Sequence, residues 1–119
     1  MAVAKEYLFS QEDREIAVLG KALAHAARVQ VINLLLKRPA SYEEIHEMIP
    51  LSETAGNDHL RILERSQLLR RTGLPSGAAG YALNHERYRY LLRVMAGRIK
   101  PDARYRRLPE EGRELGGVV

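Results

Sequence analysis

Within the stretch from Pro50 to Thr72, PLSETAGNDHLRILERSQLLRRT, the polar side chains are spaced in a way that suggests a task. Glu53, Thr54, Asn57, Asp58 and Arg61 recur at helical intervals on one side. Their short or forked donors and acceptors are of the kind that reach base edges in the major groove of duplex DNA. Ser52 stands before them as an N-cap, its hydroxyl able to accept from the free N–H groups of the first turn. Leu60 and Leu63 supply the apolar side, and Leu68 and Leu69 lead into a strand. His59 reads either as a phosphate or base contact or as a packing residue. Arg61, Arg70 and Arg71 are cations suited to phosphates. Neighbouring strand residues point to opposite faces, so only one of Arg70 and Arg71 can serve a given surface.

Other chemistries lack their residues. The chain has no cysteine, which removes disulfides, thiolate metal ligands and cysteine nucleophiles together. His25, His46 and His85 are widely separated and read as solvated or capping residues, because a metal needs several donors converging. No clustered carboxylate and histidine set and no glycine-rich phosphate loop after a strand is present. Neither an enzyme, a resident metal nor a cofactor is expected.

The 119 residues fit one domain, and the net charge of +4 is unevenly distributed. Residues 1–60 carry 6 basic and 9 acidic side chains, whereas residues 61–119 carry 13 and 6. The basic half starts inside the candidate DNA-reading helix, which fits a polyanionic partner or a solvated basic face. No apolar run approaches the roughly 20 residues that span a bilayer, and the N-terminus has no secretory h-region. No membrane association is expected, and a cytoplasmic location is.

The elements that must position these residues follow from periodicity. Residues 1–9 show no period and read as an arm. Ser10 with Asp13 opens a first helix whose Ile16, Leu19 and Leu23 share a face. Val29, Ile32, Leu35 and Leu36 mark a second helix ending before Pro39. Ser41 with Glu44 forms a capping box for a short third helix carrying Ile45, Met48 and Ile49. Pro50-Leu51 then joins it tightly to the Ser52 helix, a helix-turn-helix pattern. Leu68–Thr72 and Tyr81–Leu83 read as strands around a glycine-rich turn, completing a winged helix. Tyr81 is expected in the hairpin core. Asn84 caps a last helix with Tyr88, Leu91, Leu92, Met95 and Ile99 on one stripe. The fold expected over residues 10–100 is therefore mainly α with a small β-hairpin, and residues 101–119 read as a flexible tail. The first and last stripes, Ile16, Leu19 and Leu23 with Tyr88, Leu91, Leu92, Met95 and Ile99, serve either a monomer core or a dimer seam.

Three stretches together resemble the ArsR-type family of winged helix-turn-helix transcriptional regulators, over roughly Leu19 to Ile99. They are LGKALAHAARVQVINLLL, IPLSETAGNDHLRILERSQLL and the glycine-rich hairpin ending Tyr81-Ala82-Leu83-Asn84. The resemblance implies a homodimer joined through the first and last helices. It implies binding to a pseudo-palindromic operator in double-stranded DNA, usually as a repressor released by a metal or another small effector.

The departures are equally specific. The family's thiolate box at the start of the third helix is replaced by Ser41-Tyr42-Glu43, so sensing through thiolates is excluded. A last-helix zinc site is disfavoured, because no second histidine follows His85 and Glu86. Gly56 takes a place that is usually apolar, at a helix-interior cost of about 1 kcal/mol relative to alanine. Asp58 brings a carboxylate toward phosphates unless it accepts from a cytosine amino group. Ser66-Gln67 replaces the usual Ala-Gly, leaving the helix end without its glycine. Residues 52–72 hold four arginines against three carboxylates, a small surplus. These features suit the competing reading, a winged-helix module that binds proteins and binds DNA weakly or not at all.

Overall fold

The computed structural model of the protein describes residue 5 and residues 7–102. The expected tail therefore lies outside the described residues except for Pro101 and Asp102, and so does most of the N-terminal arm. Five helices and three short strands follow one another: α1 (Gln11–Ala22), α2 (Ala26–Lys37), β1 (Ala40–Ser41), α3 (Tyr42–Met48), α4 (Glu53–Arg65), β2 (Leu69–Gly73), β3 (Ala79–Leu83) and α5 (His85–Arg98). None of these helices is long and apolar enough to cross a membrane.

Each helix begins where a side chain satisfies its first free N–H groups. The Ser10 hydroxyl accepts from the Asp13 amide, and Asn84 Oδ1 accepts from the Arg87 amide, both at 3.1 Å. Ser41 and Glu44 form the reciprocal capping box expected of them, with both bonds at 3.1 Å. One start is earlier than the apolar pattern implied. Helix α2 begins at Ala26 rather than Val29, because His25 acts as its N-cap, Nδ1 accepting from the Ala27 amide at 3.0 Å.

The hairpin belongs to a three-stranded antiparallel sheet, where the sequence suggested two strands. Its order is β1-β3-β2, with Ala40 opposite Tyr81 and Arg71 opposite Tyr81 on the other side. Two residues are too few to show the alternation by which strands are read, which is why β1 escaped the sequence. Gly80 permits it: a Cβ there would collide with the carbonyl of Ala40. Gly77 has φ +89°, a left-handed conformation that suits glycine, and its amide donates to the Leu74 carbonyl at 2.8 Å to close the wing turn.

The core is continuous. Leu19 of α1, Val31 and Leu35 of α2, Ile45 of α3, Leu63 of α4, Leu91 of α5 and, between α4 and β2, Leu68 are fully buried. A truncation such as Leu63→Ala would cost about 2–5 kcal/mol. Tyr81 lies in this core as its sequence context implied.

Helix α4 ends in a way that its sequence disguised. The Gln67 amide donates to the Glu64 carbonyl at 2.9 Å and the Leu68 amide to the Leu63 carbonyl at 3.2 Å, the two bonds of a Schellman cap. Gln67 itself takes φ +64°, the position that a glycine usually fills. Its carbonyl accepts from Asn84 Nδ2 at 3.2 Å, tying the cap to the start of α5.

Candidate nucleic-acid interface

Helices α3 and α4 meet through the short Pro50-Leu51 link, and Ser52 caps α4 by accepting from the Ala55 amide at 3.2 Å. Gly56, Leu60 and Leu63 turn inward. Glu53, Thr54, Asn57, Asp58 and Arg61 are exposed, so the five side chains singled out by spacing do share the solvent side of one helix. His59 is half-buried at the edge of that face.

Two of the charges on this face are already engaged with each other. Arg61 Nη1 donates to Asp58 Oδ1 at 2.9 Å, so the carboxylate that looked hostile to phosphates accepts from its own neighbour. On the wing, Arg71 donates from Nε to Glu64 Oε2 at 2.9 Å and from Nη2 to Oε1 at 3.3 Å. The Tyr81 hydroxyl donates to the same Oε1 at 2.9 Å. This network couples the back of α4 to β2 and β3. Bonding to Arg71, reinforced by Tyr81, holds the Glu64 carboxyl below the ordinary range against the effect of burial. Burial first, then Glu64, pushes the Tyr81 phenol up to about 12.

The alternation of the strand separates the two wing arginines. Arg71 shares a side with α4, whereas Arg70, opposite Ala82, is exposed and makes no ion pair or hydrogen bond among the described residues. Between α3, α4 and the wing runs an open cleft of about 410 Å³, lined by Tyr42, His46, Asn57, Arg61, Arg71 and Tyr81. The rings of Tyr42 and Tyr81 pack at a tilt of 48°, with 5.1 Å between centroids. Among the described residues no group of three or more His, Asp or Glu side chains converges as a metal site would require.

Two residues of this region were not foreseen as partners. Arg28 is buried, with 8% of its surface exposed, and donates from Nε to the Ala22 carbonyl and from Nη1 to His59 Nδ1, each at 3.3 Å. The rings of His25 and His59 lie 4.2 Å apart. Only the pairing of HAAR near residue 25 with the remote His59 could have signalled this, and a contact across 31 positions has no periodicity to betray it.

The residues of the expected seam divide in two. Leu19 and Leu91 are fully buried within one chain, while Ile16, Leu23, Tyr88, Leu92 and Met95 are half-buried and Ile99 is 62% exposed. Helix α1 packs on α5, and two ion pairs tie them: Glu15 to Arg87 at 2.9 Å and Asp13 to Arg98 at 2.8 Å. Tyr7, Leu8 and Phe9, just before α1, are strongly exposed.

No family model matches the sequence, and no curated protein matches it. Solved structures do resemble the fold. An ArsR-like transcriptional regulator from Rhodococcus sp. RHA1 superposes with a TM-score of 0.63 at 18% identity, over 92% of this chain and 93% of that one. HlyU from Vibrio cholerae gives 0.59 at 24% identity, over 77% and 100%. The transcriptional repressor BigR from Xylella fastidiosa gives 0.55 at 18% identity, over 78% and 100%. With α3 and α4 as its helix-turn-helix and β2 and β3 as its wing, the chain has the winged helix-turn-helix fold of these ArsR-type regulators.

Proposed function

We propose that the protein is a DNA-binding transcriptional regulator that acts as a homodimeric repressor on a pseudo-palindromic operator. The observation that carries this reading is the exposed row Glu53, Thr54, Asn57, Asp58 and Arg61 along α4, flanked by the wing arginines. Helix α4 enters the major groove, where Asn57 and Arg61 address base edges and phosphates. Arg70 and Arg71 meet the backbone beside it. The half-buried residues of α1 and α5 and the exposed Ile99 form the seam, holding the two α4 helices about 34–36 Å apart in successive grooves. A small effector that shifts α1 and α5 would reset this spacing. That similar structures belong to transcriptional regulators, one of them a repressor, supports the reading.

A second reading has its own observation: Arg61 is paired with Asp58 and Arg71 with Glu64, so neither cation is free for phosphate without exchanging a partner. Such a module would bind protein instead. Selection of fragments from a genomic library with purified protein separates the two. Recovery of a shared inverted repeat is the expected result, and failure to enrich any duplex would favour the protein-binding module.

A further inference from the structure

The cluster formed by His25, Arg28 and His59 joins three elements: the end of α1 through the Ala22 carbonyl, the start of α2, and the DNA-facing helix α4. Its hydrogen bonds fix the position of two protons. A guanidinium has only donors, so the 3.3 Å contact from Arg28 Nη1 makes His59 Nδ1 an acceptor. A backbone amide likewise only donates, so the 3.0 Å bond from Ala27 makes His25 Nδ1 an acceptor. In the neutral ring the other nitrogen must then carry the proton. Neither Nε2 has a partner among the described residues.

We infer that Arg28, with the His25 ring packed at a tilt against that of His59, is a positioning residue that locks His59 in the neutral Nε2–H tautomer, so that α4 offers a single oriented donor to a phosphate oxygen of duplex DNA. This inference rests on the DNA-binding reading for its ligand, though not for its tautomer. The geometry favours such a role over simple packing in three ways. Arg28 donates from both Nε and Nη1 and has no carboxylate partner among the described residues, so among them its orientation is set by the Ala22 carbonyl and the imidazole. The His25 and His59 rings, 4.2 Å apart, restrict each other's rotation. His59 stands next to Asp58 and five residues after Thr54, on the edge of the exposed row. An imidazole whose acceptor nitrogen is already taken has one polar use left, as a donor, and a phosphate oxygen is the acceptor that a DNA-facing helix meets most often. The charged and titratable groups facing the ring are His25 and Arg28, which oppose a second proton, and Asp58, which favours it. The first two prevail with burial, so the donor is in place without proton uptake.

The test is long-range ¹⁵N–¹H correlation NMR on the full chain without DNA at about pH 7.5, where neutral imidazoles prevail. The expected spectrum has His25 and His59 each as one Nε2–H tautomer, with His85 as an exposed control that averages both. A protonated Nδ1 on His59, or a mixture like that of His85, would overturn the inference whatever the protein does with DNA. The second arm measures affinity for a mixed-sequence duplex by fluorescence anisotropy from pH about 8 to about 6, around the ordinary histidine value. Arg28→Met should bind about fivefold more weakly at the upper end, in the range of one lost hydrogen bond. It should also recover affinity on acidification more steeply than the wild type, because His59 is released to take a proton. Arg28→Lys, which keeps the charge, should average the tautomers in the same way. Parallel pH profiles for wild type and both variants would sink the positioning role, and absence of duplex binding by the wild type would count against the DNA reading alone.

Discussion

The imidazole of His46 on α3 occupies the space into which a side chain at position 56 of α4 would project. A Cβ on Gly56 would lie 3.0 Å from His46 Nδ1 and 3.1 Å from Cε1. The glycine that looked like a flaw in α4 is therefore a contact, and it lets α3 and α4 approach closely. Replacing Gly56 by alanine should gain about 1 kcal/mol of helix propensity and lose most of it to crowding. The predicted urea midpoint is close to that of the wild type. In a His46→Ala background the same change should stabilise by nearly the full amount, a coupling that a double-mutant cycle reads directly.

Gln67 allows a simpler prediction. Its φ of +64° costs a residue with a Cβ about 1–2 kcal/mol, and glycine would remove that strain while adding freedom to the unfolded chain. Gln67→Gly should raise stability by about 0.5–1 kcal/mol in chemical denaturation. Gln67→Val should lower it by more, since a β-branched residue suits that conformation worst.

The Glu64 network predicts that structure and binding separate. Tyr81→Phe removes a buried hydroxyl from Glu64 Oε1 and should cost about 1–2 kcal/mol of stability. Arg71 is exposed, and exposed ion pairs contribute little, so Arg71→Ala should leave the unfolding midpoint nearly unchanged. Arg71→Ala and Arg61→Ala should each weaken duplex binding across all sequences. Asn57→Ala should instead alter which fragments are selected, because amide side chains read base edges.

Acid should loosen the His59 contact. Burial first, then the neighbouring His25 and Arg28, hold its imidazole below the ordinary value of 6.5, against the opposing pull of Asp58. The unfolded chain thus takes up this proton first, and in the window below pH 6.5 it binds more protons than the folded chain. Stability therefore rises with pH in that window and is lost as pH falls from about 6.5 toward the folded value. The denaturation midpoint of the wild type should decline over that range, and His59→Gln should flatten the decline.

Much of the fold was legible from residue order because its elements are announced locally. Ser10, Ser41, Ser52 and Asn84 each cap a helix where the sequence placed one, and the stripes of Leu19, Leu35, Leu63 and Leu91 are buried. The exposed row of α4 followed from the same period. What the sequence concealed depends on contacts between distant segments: β1 against β3, His46 over Gly56, and Arg28 with His59. Glu64 could be counted as a negative charge but not seen as the partner of Arg71, since that pairing depends on where the wing folds back, whereas Asp58 and Arg61 pair locally, three residues apart on α4.

The central claim is that the exposed face of α4 and its wing bind duplex DNA, and the salt dependence of binding tests it most directly. Titrating a labelled duplex with the protein at increasing salt should give a log–log slope that falls by about 0.9 for each phosphate contacted, steep for two wings and two helices. Arg71→Ala should reduce that slope by about one contact per subunit. A slope near zero, or binding that no duplex supports at low salt, would contradict the account.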